Sequence, residues 1–234
     1  MRALAIVHQV DAGPGVFADA MRARGVELDQ WLIAAGPPPA EPAGYDAVLT
    51  FGGAMHADQD DRHPWLRAEK ALLADLIQRG VPLFGMCLGA QLVADAAGAP
   101  ARRARVPEIG WHQVELTPEA AADPILSGLP TRFEAFEWHS YEAPLPPGAT
   151  ALATSAVCLQ AYRLEGPAWG IQFHAEVSPA DVEHWIDDYR SDEDAVRIGL
   201  DPEALRRRTR ASIGAWNELG RILAERFVDA VTRV

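Results

Sequence analysis

The sequence predicts an α/β fold in which a flavodoxin-like, mostly parallel sheet carries helices on both faces. Short apolar runs at 3–8, 46–53 and 81–85 alternate with segments of helical spacing, which is the pattern of βαβ units. The 234 residues are 49% hydrophobic, enough to bury the core of such a domain. Polar and apolar residues alternate along 112–117 and 132–143, which predicts extra antiparallel strands in the second half.

Three segments of the first half have the spacing of amphipathic helices: 15–25, 63–80 and 88–98. The second of them begins beside Pro64, which suits the first turn of a helix, and ends at Gly80, which suits its C-terminal cap. Because strands and helices alternate here, we expect a parallel sheet that helices cover on both faces.

The last third of the sequence predicts a hairpin over 158–176, with its turn at 165–167, and then helices at 180–190 and 201–231. Apolar residues recur every three or four positions in the final helix, which predicts that it packs against the domain. We interpret the basic run at 205–210 as a solvated helix face, because acidic residues occur in the same helix. The residues of the apolar stripe are Ile213, Trp216, Leu219, Ile222, Leu223 and Phe227.

Composition narrows the possible partners and locations. The chain has 21 basic and 33 acidic residues, a net charge of −12 with histidine neutral, which disfavours nucleic acid because phosphate binding needs clustered lysine and arginine. No apolar run is long enough to span a membrane, and the N-terminal residues lack the cleavage pattern of a signal peptide. Cys87 and Cys158 offer neither a disulfide framework nor metal-ligand spacing. We predict a cytoplasmic protein that binds neither nucleic acid nor membrane and uses no metal or cofactor.

One cysteine lies in a glycine turn between an apolar strand and a helix, in the stretch GMCLG at 85–89. Glycines on both sides permit the strained turn that lifts a nucleophile above the carboxyl edge of a sheet. The free N–H groups at the start of the following helix favour the reactive thiolate. We therefore predict that Cys87 is a nucleophile. Cys158 begins a strand pattern and is predicted to be a core residue.

A cysteine nucleophile needs a base, and the base needs a group that orients it. His174 follows an apolar strand segment and Glu176 lies two residues later, so both side chains point to the same side of an extended chain. Glu176 is predicted to accept from one ring nitrogen while the other faces Cys87. His139 is the rival base, but we favour His174 because no acid follows His139 two residues later.

Acyl transfer also needs N–H donors for a negatively charged oxygen. The strand pattern at 49–53 ends in Gly-Gly, which lets a backbone N–H point into a cavity, although such a pair alone is more typical of a plain tight loop. The N–H of Leu88 is the natural second donor. The acidic stretch 57–63 suggests a cation site, but a solvated loop before a helix explains its carboxylates better. The other histidines show no metal-ligand grouping and are predicted to be structural or exposed: His8, His56, His63, His112 and His184.

Three stretches, FGGAM (51–55), FGMCLGAQ (84–91) and FHAE (173–176), resemble the class I glutamine amidotransferase family in this order. The resemblance is to stand-alone members similar to the glutaminase domain of GMP synthetase, and it extends to about residue 185. It implies an amidotransferase domain over 1–186. We predict that 187–234 form a C-terminal helical extension packed on that domain.

The resemblance implies a role for each matching residue. The catalytic triad of the family falls on Cys87, His174 and Glu176. The backbone N–H groups of Gly53 and Leu88 correspond to the oxyanion donors.

The resemblance also implies where the substrate binds. Gln91 corresponds to the side chain that holds the glutamine moiety, and the backbone near Ser140 and Tyr141 corresponds to the segment that receives its head group. The family usually carries proline after the oxyanion glycine, where this chain has Ala54. We therefore expect a less preset oxyanion loop.

Three functions are compatible with these residues. The first is a glutaminase that forms a γ-glutamyl thioester and releases ammonia to an unidentified acceptor. The second is a γ-glutamyl peptide or amide hydrolase with the same triad, and the third is a non-catalytic regulatory or binding module on this fold. The resemblance implies a small-molecule substrate and no cofactor. It also suggests a synthetase subunit in trans, because the sequence shows no ATP pyrophosphatase domain.

Overall fold

One sheet of nine strands organises residues 1–232, the part of the chain that this computed structural model describes. Its strands are β1 (Arg2–Val7), β2 (Glu27–Leu32), β3 (Ala47–Thr50), β4 (Leu83–Met86), β5 (Arg102–Leu116), β6 (Arg132–Glu142), β7 (Thr150–Thr154), β8 (Leu159–Arg163) and β9 (Ala168–Ile171). The helices are α1 (Gly15–Ala23), α2 (Trp65–Gln78), α3 (Leu88–Ala96), α4 (Pro179–Asp187), α5 (Glu193–Arg197) and α6 (Pro202–Thr232).

The sheet has a parallel half and an antiparallel half, which meet at β9. Strands run parallel in the order β2-β1-β3-β4-β9, and β8, β7, β5 and β6 continue from β9 with antiparallel pairings. Strands β1, β3 and β4 are almost entirely buried, as expected of parallel strands covered on both faces. The predicted flavodoxin-like α/β architecture with added antiparallel strands is confirmed.

Helices cover both faces of the sheet. Ala5 of β1 packs in one apolar core with α1 and α6, whereas the next residue, Ile6, packs in a second core with α2 and α3. This division follows from the two-residue period of a strand, which turns successive side chains to opposite faces.

The long helix α6 packs on the first of these cores, as its apolar stripe predicted. Trp216, Leu223 and Phe227 are buried there, and Ile213 and Leu219 pack against them while remaining partly exposed. Ile222, also predicted for the stripe, is only half-buried. The division of the chain at residue 186 stays a prediction. Within the described residues, no helix combines the length and the apolar character needed to cross a membrane.

The basic run at the start of α6 faces acidic side chains. Arg206 lies 2.6 Å from Glu183, and Arg208 pairs with Glu134. These contacts support its interpretation as a solvated helix face.

Several elements differ from the sequence expectation. The sequence pattern misses β2 because this edge strand is half exposed and lacks an apolar run. Strand β7 and helix α5 are also missed, and the five residues of α5 are too few to show a helical period. Strand β5 begins well before the predicted strand at 112–117, and its pairing with β6 shifts register between Arg103 and Glu108.

Three neighbouring parallel strands end at the same edge of the sheet. Strand β3 leads to Gly52, β4 leads to Cys87, and β9 leads to His174. Ligands bind outside the carboxyl ends of strands in open α/β sheets, so this edge is where a site is expected.

Candidate active site

Cys87 occupies a turn that its two flanking glycines make possible. Its φ of +50° is the one positive φ of a non-glycine residue in the described chain. A Cβ atom on Gly85 would lie 2.7 Å from the carbonyl oxygen of Gly89, and one on Gly89 would lie 2.0 Å from that of Thr50. The N–H of Cys87 donates to the carbonyl of Ile171 at 2.9 Å. The glycines are therefore required by close backbone packing where β4 joins α3.

His174 and Glu176 form a buried pair beside Cys87. Nδ1 of His174 donates to Oε1 of Glu176 at 2.8 Å. A Cβ on Gly52 would lie 2.8 Å from Cε1 of His174 and 3.8 Å from Cβ of Cys87, so all three residues meet at one point. Burial opposes a charged ring, but the negative charges of Cys87 and Glu176 raise the pKa of His174 well above its usual value. This environment favours the imidazolium form of His174.

The segment that carries His174 is held by its neighbours. The indole N–H of Trp216 donates to the carbonyl of His174 at 2.7 Å, and Nδ2 of Asn217 donates to that of Val177 at 2.7 Å. The ring of Trp185 packs edge-on against the His174 ring, with 4.8 Å between centroids. Helices α4 and α6 therefore position the candidate base.

The two predicted oxyanion donors lie next to each other. A Cβ on Gly53 would lie 3.2 Å from Cδ2 of Leu88. Leu88 is the first residue of α3, so its N–H has no acceptor within the helix and is free to bind a ligand oxygen.

A buried ion pair that the sequence analysis missed supports the loop at Gly52 and Gly53, the predicted oxyanion loop. Nδ1 of His8 donates to the carbonyl of Gly52 at 3.0 Å, and Nε2 contacts Oε2 of Glu69 at 2.8 Å. The hydroxyl of Thr50 donates to the other oxygen of Glu69 at 2.7 Å. Burial lowers the pKa of His8, but the Glu69 charge outweighs burial and raises it. No short-range pattern could predict a pair separated by 61 positions.

Ala54 has a specific contact that proline could not make. Its backbone N–H donates to Oε1 of Gln9 at 2.8 Å, and the amide of Gln9 in turn donates to Asp11 at 3.0 Å. Proline has no N–H, so this bond depends on the departure from the family pattern. The loop that we expected to be less preset is thus held by a side chain.

The predicted substrate-binding residues also lie near Cys87. Nε2 of Gln91 donates to the carbonyl of Tyr141 at 2.9 Å and to Oε1 of Gln172 at 3.2 Å. The carbonyl oxygen of Trp138 lies 3.8 Å from Sγ of Cys87. The backbone of 138–141 therefore borders the thiol.

A cavity of about 420 Å³ opens at this edge of the sheet. Ser140 and every other predicted site residue except Glu176 line it, and Glu176 lies behind the ring of His174. The segment 188–194, which runs from the end of α4 into the first turn of α5, forms part of its wall. The structure thus brings the predicted site residues together.

His139 has two acidic partners. This corrects one reason for ranking it below His174 as the base, namely that it lacks a paired acid. Its Nε2 lies 3.3 Å from Glu108 and 3.3 Å from Glu137, two positions before it. Cys158 is buried, as predicted, and joins Glu108 and His139 in a group whose donor atoms all lie within 4.8 Å of one another. Linear spacing of the cysteines did not predict this grouping.

Comparison with known proteins decides the family. Residues 15–188 match the family described as glutamine amidotransferase class-I, which is more than half of the chain. The chain belongs to the class I glutamine amidotransferase family. Relatives in this family are cysteine-dependent amidotransferases and amide hydrolases, and the predicted enzyme class is confirmed.

Individual relatives agree with this assignment. The chain is 37% identical over 124 residues to the A subunit of the glutamine-hydrolyzing GMP synthase of Thermococcus kodakarensis. The matched region covers 52% of this chain and 63% of the relative. It is 31% identical over 153 residues to γ-glutamyl-L-1-hydroxyisopropylamide hydrolase of a Pseudomonas species, covering 61% of this chain and 51% of that one. Both matches span less than two thirds of the relative. A solved glutamine amidotransferase from Thermotoga maritima has a TM-score of 0.87 and 29% identity, over 97% of this chain and 98% of its own.

Proposed function

We propose that this class I amidotransferase hydrolyses the side-chain amide of glutamine through Cys87, His174 and Glu176. One observation carries the proposal: the thiol at the β4–α3 turn meets the 2.8 Å His174–Glu176 pair beside Gly52. A nucleophile, a base and a carboxylate that orients the base are the parts that covalent acyl transfer requires.

The reaction follows from these positions. Sγ of Cys87 attacks the amide carbon, and the amide oxygen becomes an oxyanion. The C–N bond then breaks as His174 donates its proton to the leaving nitrogen, which departs as ammonia. Water attacks the resulting γ-glutamyl thioester and gives a proton to His174, and glutamate and the thiolate are released.

The remaining site residues stabilise and hold the reacting groups. The N–H groups of Gly53 and Leu88 bind the oxyanion, because both residues line the cavity beside the thiol and Leu88 is the first residue of α3. Gln91 and the backbone of Ser140 and Tyr141 hold the glutamyl part of the substrate.

A second candidate is hydrolysis of a γ-glutamyl amide that carries a larger amine. The similarity to a γ-glutamyl-L-1-hydroxyisopropylamide hydrolase favours it, and the cavity of about 420 Å³ extends beyond Cys87 to the segment 188–194. The chemistry is unchanged, with the amine leaving in place of ammonia. The non-catalytic module is disfavoured because the nucleophile, base and carboxylate are all present.

The partner and location remain parts of the proposal. Similarity to the glutamine-hydrolyzing GMP synthase of Thermococcus kodakarensis supports a synthetase subunit in trans that receives the ammonia. A cytoplasmic location rests on the cysteine content, since Cys87 and Cys158 are both free thiols.

A substrate panel tests the proposal. The purified protein is incubated with glutamine and with γ-glutamyl amides of increasing amine size, and glutamate and amine release are measured beside a Cys87→Ala control. We expect Cys87-dependent release of glutamate. Turnover of the amides without turnover of glutamine would favour the second candidate, and no turnover of any γ-glutamyl compound, alone or with a synthetase subunit, would contradict both.

A further inference from the structure

A buried ionic cluster lies behind the strand segment that borders Cys87, and the proposed reaction leaves it unused. Nε2 of His139 lies 3.3 Å from Oε2 of Glu108 and 3.3 Å from Oε2 of Glu137, and all three side chains are at most 3% exposed. Within residues 1–232, neither oxygen of Glu137 has a hydrogen-bond partner. A protonated ring of His139 supplies the positive charge that these two carboxylates require.

A proton suits this cluster better than a metal ion, although Glu108, His139 and Cys158 are close enough to share one. Oε2 of Glu108 already accepts hydrogen bonds from Ser155 Oγ at 3.0 Å and Gln160 Nε2 at 2.9 Å. Burial raises the pKa of Cys158, so its thiol keeps the proton that a metal ligand would lose.

The other ring nitrogen of His139 connects the cluster to the site. Its Nδ1 donates to the carbonyl of Tyr141 at 3.0 Å, and Gln91 donates to the same oxygen at 2.9 Å. The carbonyl of Trp138, the preceding residue, lies 3.8 Å from Sγ of Cys87. His139 therefore belongs to the segment that borders both the thiol and the proposed glutamyl site.

We propose that His139 is a positioning residue, an imidazolium clamped between Glu108 and Glu137 that fixes the backbone of 138–141 and places a positive charge near Cys87. This inference rests on the proposed function and adds a residue to it. His174 gives and takes the proton during the reaction, whereas His139 stays charged throughout.

The surroundings of His139 support a constant charge. Burial opposes ionisation, but Glu108 and Glu137 raise the pKa of His139 to about 10, and the negative charge of Cys87 adds to this. Glu108 faces the ring from β5, Glu137 from β6 and Cys87 from the start of α3, while the charge of His174 acts on Glu137. The ring of His139 therefore keeps its proton throughout the neutral range.

The test uses His139→Gln and, as a matched control, His112→Gln in the full chain. His112 lies 3.9 Å from the other oxygen of Glu108, but it is about one third exposed and does not line the cavity. Iodoacetamide labelling of Cys87 is followed by mass spectrometry from pH 5 to pH 10, and KM and kcat are measured for glutamine. Circular dichroism checks the fold, and metal content is measured in the wild-type protein.

We expect His139→Gln to slow labelling of Cys87 at pH 7 by about fivefold or more, to move the labelling profile to higher pH, and to raise KM about tenfold. His112→Gln should stay within about twofold of wild type. If His139→Gln does not fold, Glu137→Gln keeps the shape of the cluster and removes a negative charge while Glu108 still holds the proton of His139, so it should move the labelling profile to lower pH. A purely structural role would lower thermal stability but leave the labelling profile unchanged, which would overturn the proposal.

Two further outcomes separate this inference from the function. Stoichiometric zinc in the wild-type protein, lost in Cys158→Ser, would replace the imidazolium by a metal site. A wild-type protein that turns over no γ-glutamyl compound would contradict the proposed function, while the labelling profiles would still decide the role of His139.

Discussion

Cys87 is surrounded by positions where no side chain fits. Methyl groups on Gly52, Gly85 or Gly89 would collide with the His174 ring or with backbone atoms at 2.0 to 2.8 Å. The glycines that mark the turn in the sequence are thus explained by packing, and the strained φ of Cys87 is one result.

Replacing single members of the proposed triad should produce a defined order of effects. Cys87→Ala and His174→Ala should each lower kcat for glutamine or the accepted γ-glutamyl amide by about 10³-fold or more, because nucleophile and base act as one unit. Glu176→Gln should cost less, since the amide can still orient the ring. Adding Glu176→Gln to Cys87→Ala should change almost nothing further. Near-normal turnover by Cys87→Ala would show that no thioester forms.

The two cysteines should differ sharply in reactivity. Cys87 lines the open cavity, whereas burial and the nearby carboxylates of Glu108 and Glu137 raise the pKa of Cys158 and keep its thiol protonated. Limited iodoacetamide treatment followed by peptide mass spectrometry should label Cys87 at least about tenfold faster. In denaturant both should label at similar rates, and equal labelling in the native protein would argue against an activated Cys87.

At the scale of elements, short-range sequence patterns predicted those turns, hairpins and helix faces that depend only on residues close together in the chain. The turn before α3, the β8–β9 hairpin and the apolar face of α6 all follow from spacing within one segment. The contact between Glu137 and His139 was also predictable. Residues two positions apart in a strand point to the same side, as in the pair His174 and Glu176, but here the acid precedes the histidine. Glu108 reaches His139 across a strand pairing, and no local pattern contains that information.

Helix α6 offers a matched pair of glycines that tests its role in holding the base. A Cβ on Gly220 would lie 2.0 Å from the carbonyl oxygen of Ala175, whereas one on Gly214 would meet nothing within 4 Å. Gly220→Ala should therefore lower the free energy of unfolding by about 1–3 kcal/mol and reduce kcat, because the helix must move away from the His174 segment. Gly214→Ala should be neutral or stabilising by up to about 1 kcal/mol. Urea unfolding and steady-state kinetics measure both, and equal behaviour of the two variants would refute this packing argument.

For the molecule as a whole, buried histidines link stability to pH. The folded pKa of His139 is raised to about 10, and that of His174 lies well above its usual value. Such groups stabilise the fold fully below the unfolded pKa of 6.5, and this contribution is lost as pH rises towards the folded value. Stability from these groups therefore declines between neutral and alkaline pH.

Removing one such histidine should flatten that decline. Between pH 7 and pH 9, one proton bound by the folded but not by the unfolded state lowers the unfolding free energy by about 1.4 kcal/mol per pH unit. The unfolding free energy of His139→Gln should therefore fall less steeply with pH than that of wild type, by roughly this amount. Chemical denaturation at unit pH intervals measures the slopes, with His184→Gln as an exposed control. Identical slopes for wild type and His139→Gln would mean that His139 carries no extra proton in the folded state.

The hydrogen bonds from Trp216 and Asn217 to the carbonyls of His174 and Val177 have a consequence for the time course of synthesis. Residues 202–232 leave the ribosome after every segment that they hold. A growing chain can form the β4–α3 turn early, since its neighbours are already made, but the segment carrying the base lacks both donors until α6 emerges. Ribosome-bound chains that stop before residue 216 should therefore display the thiol without releasing ammonia. On the proposed function, hydrolysis should begin only when translation has passed the helix.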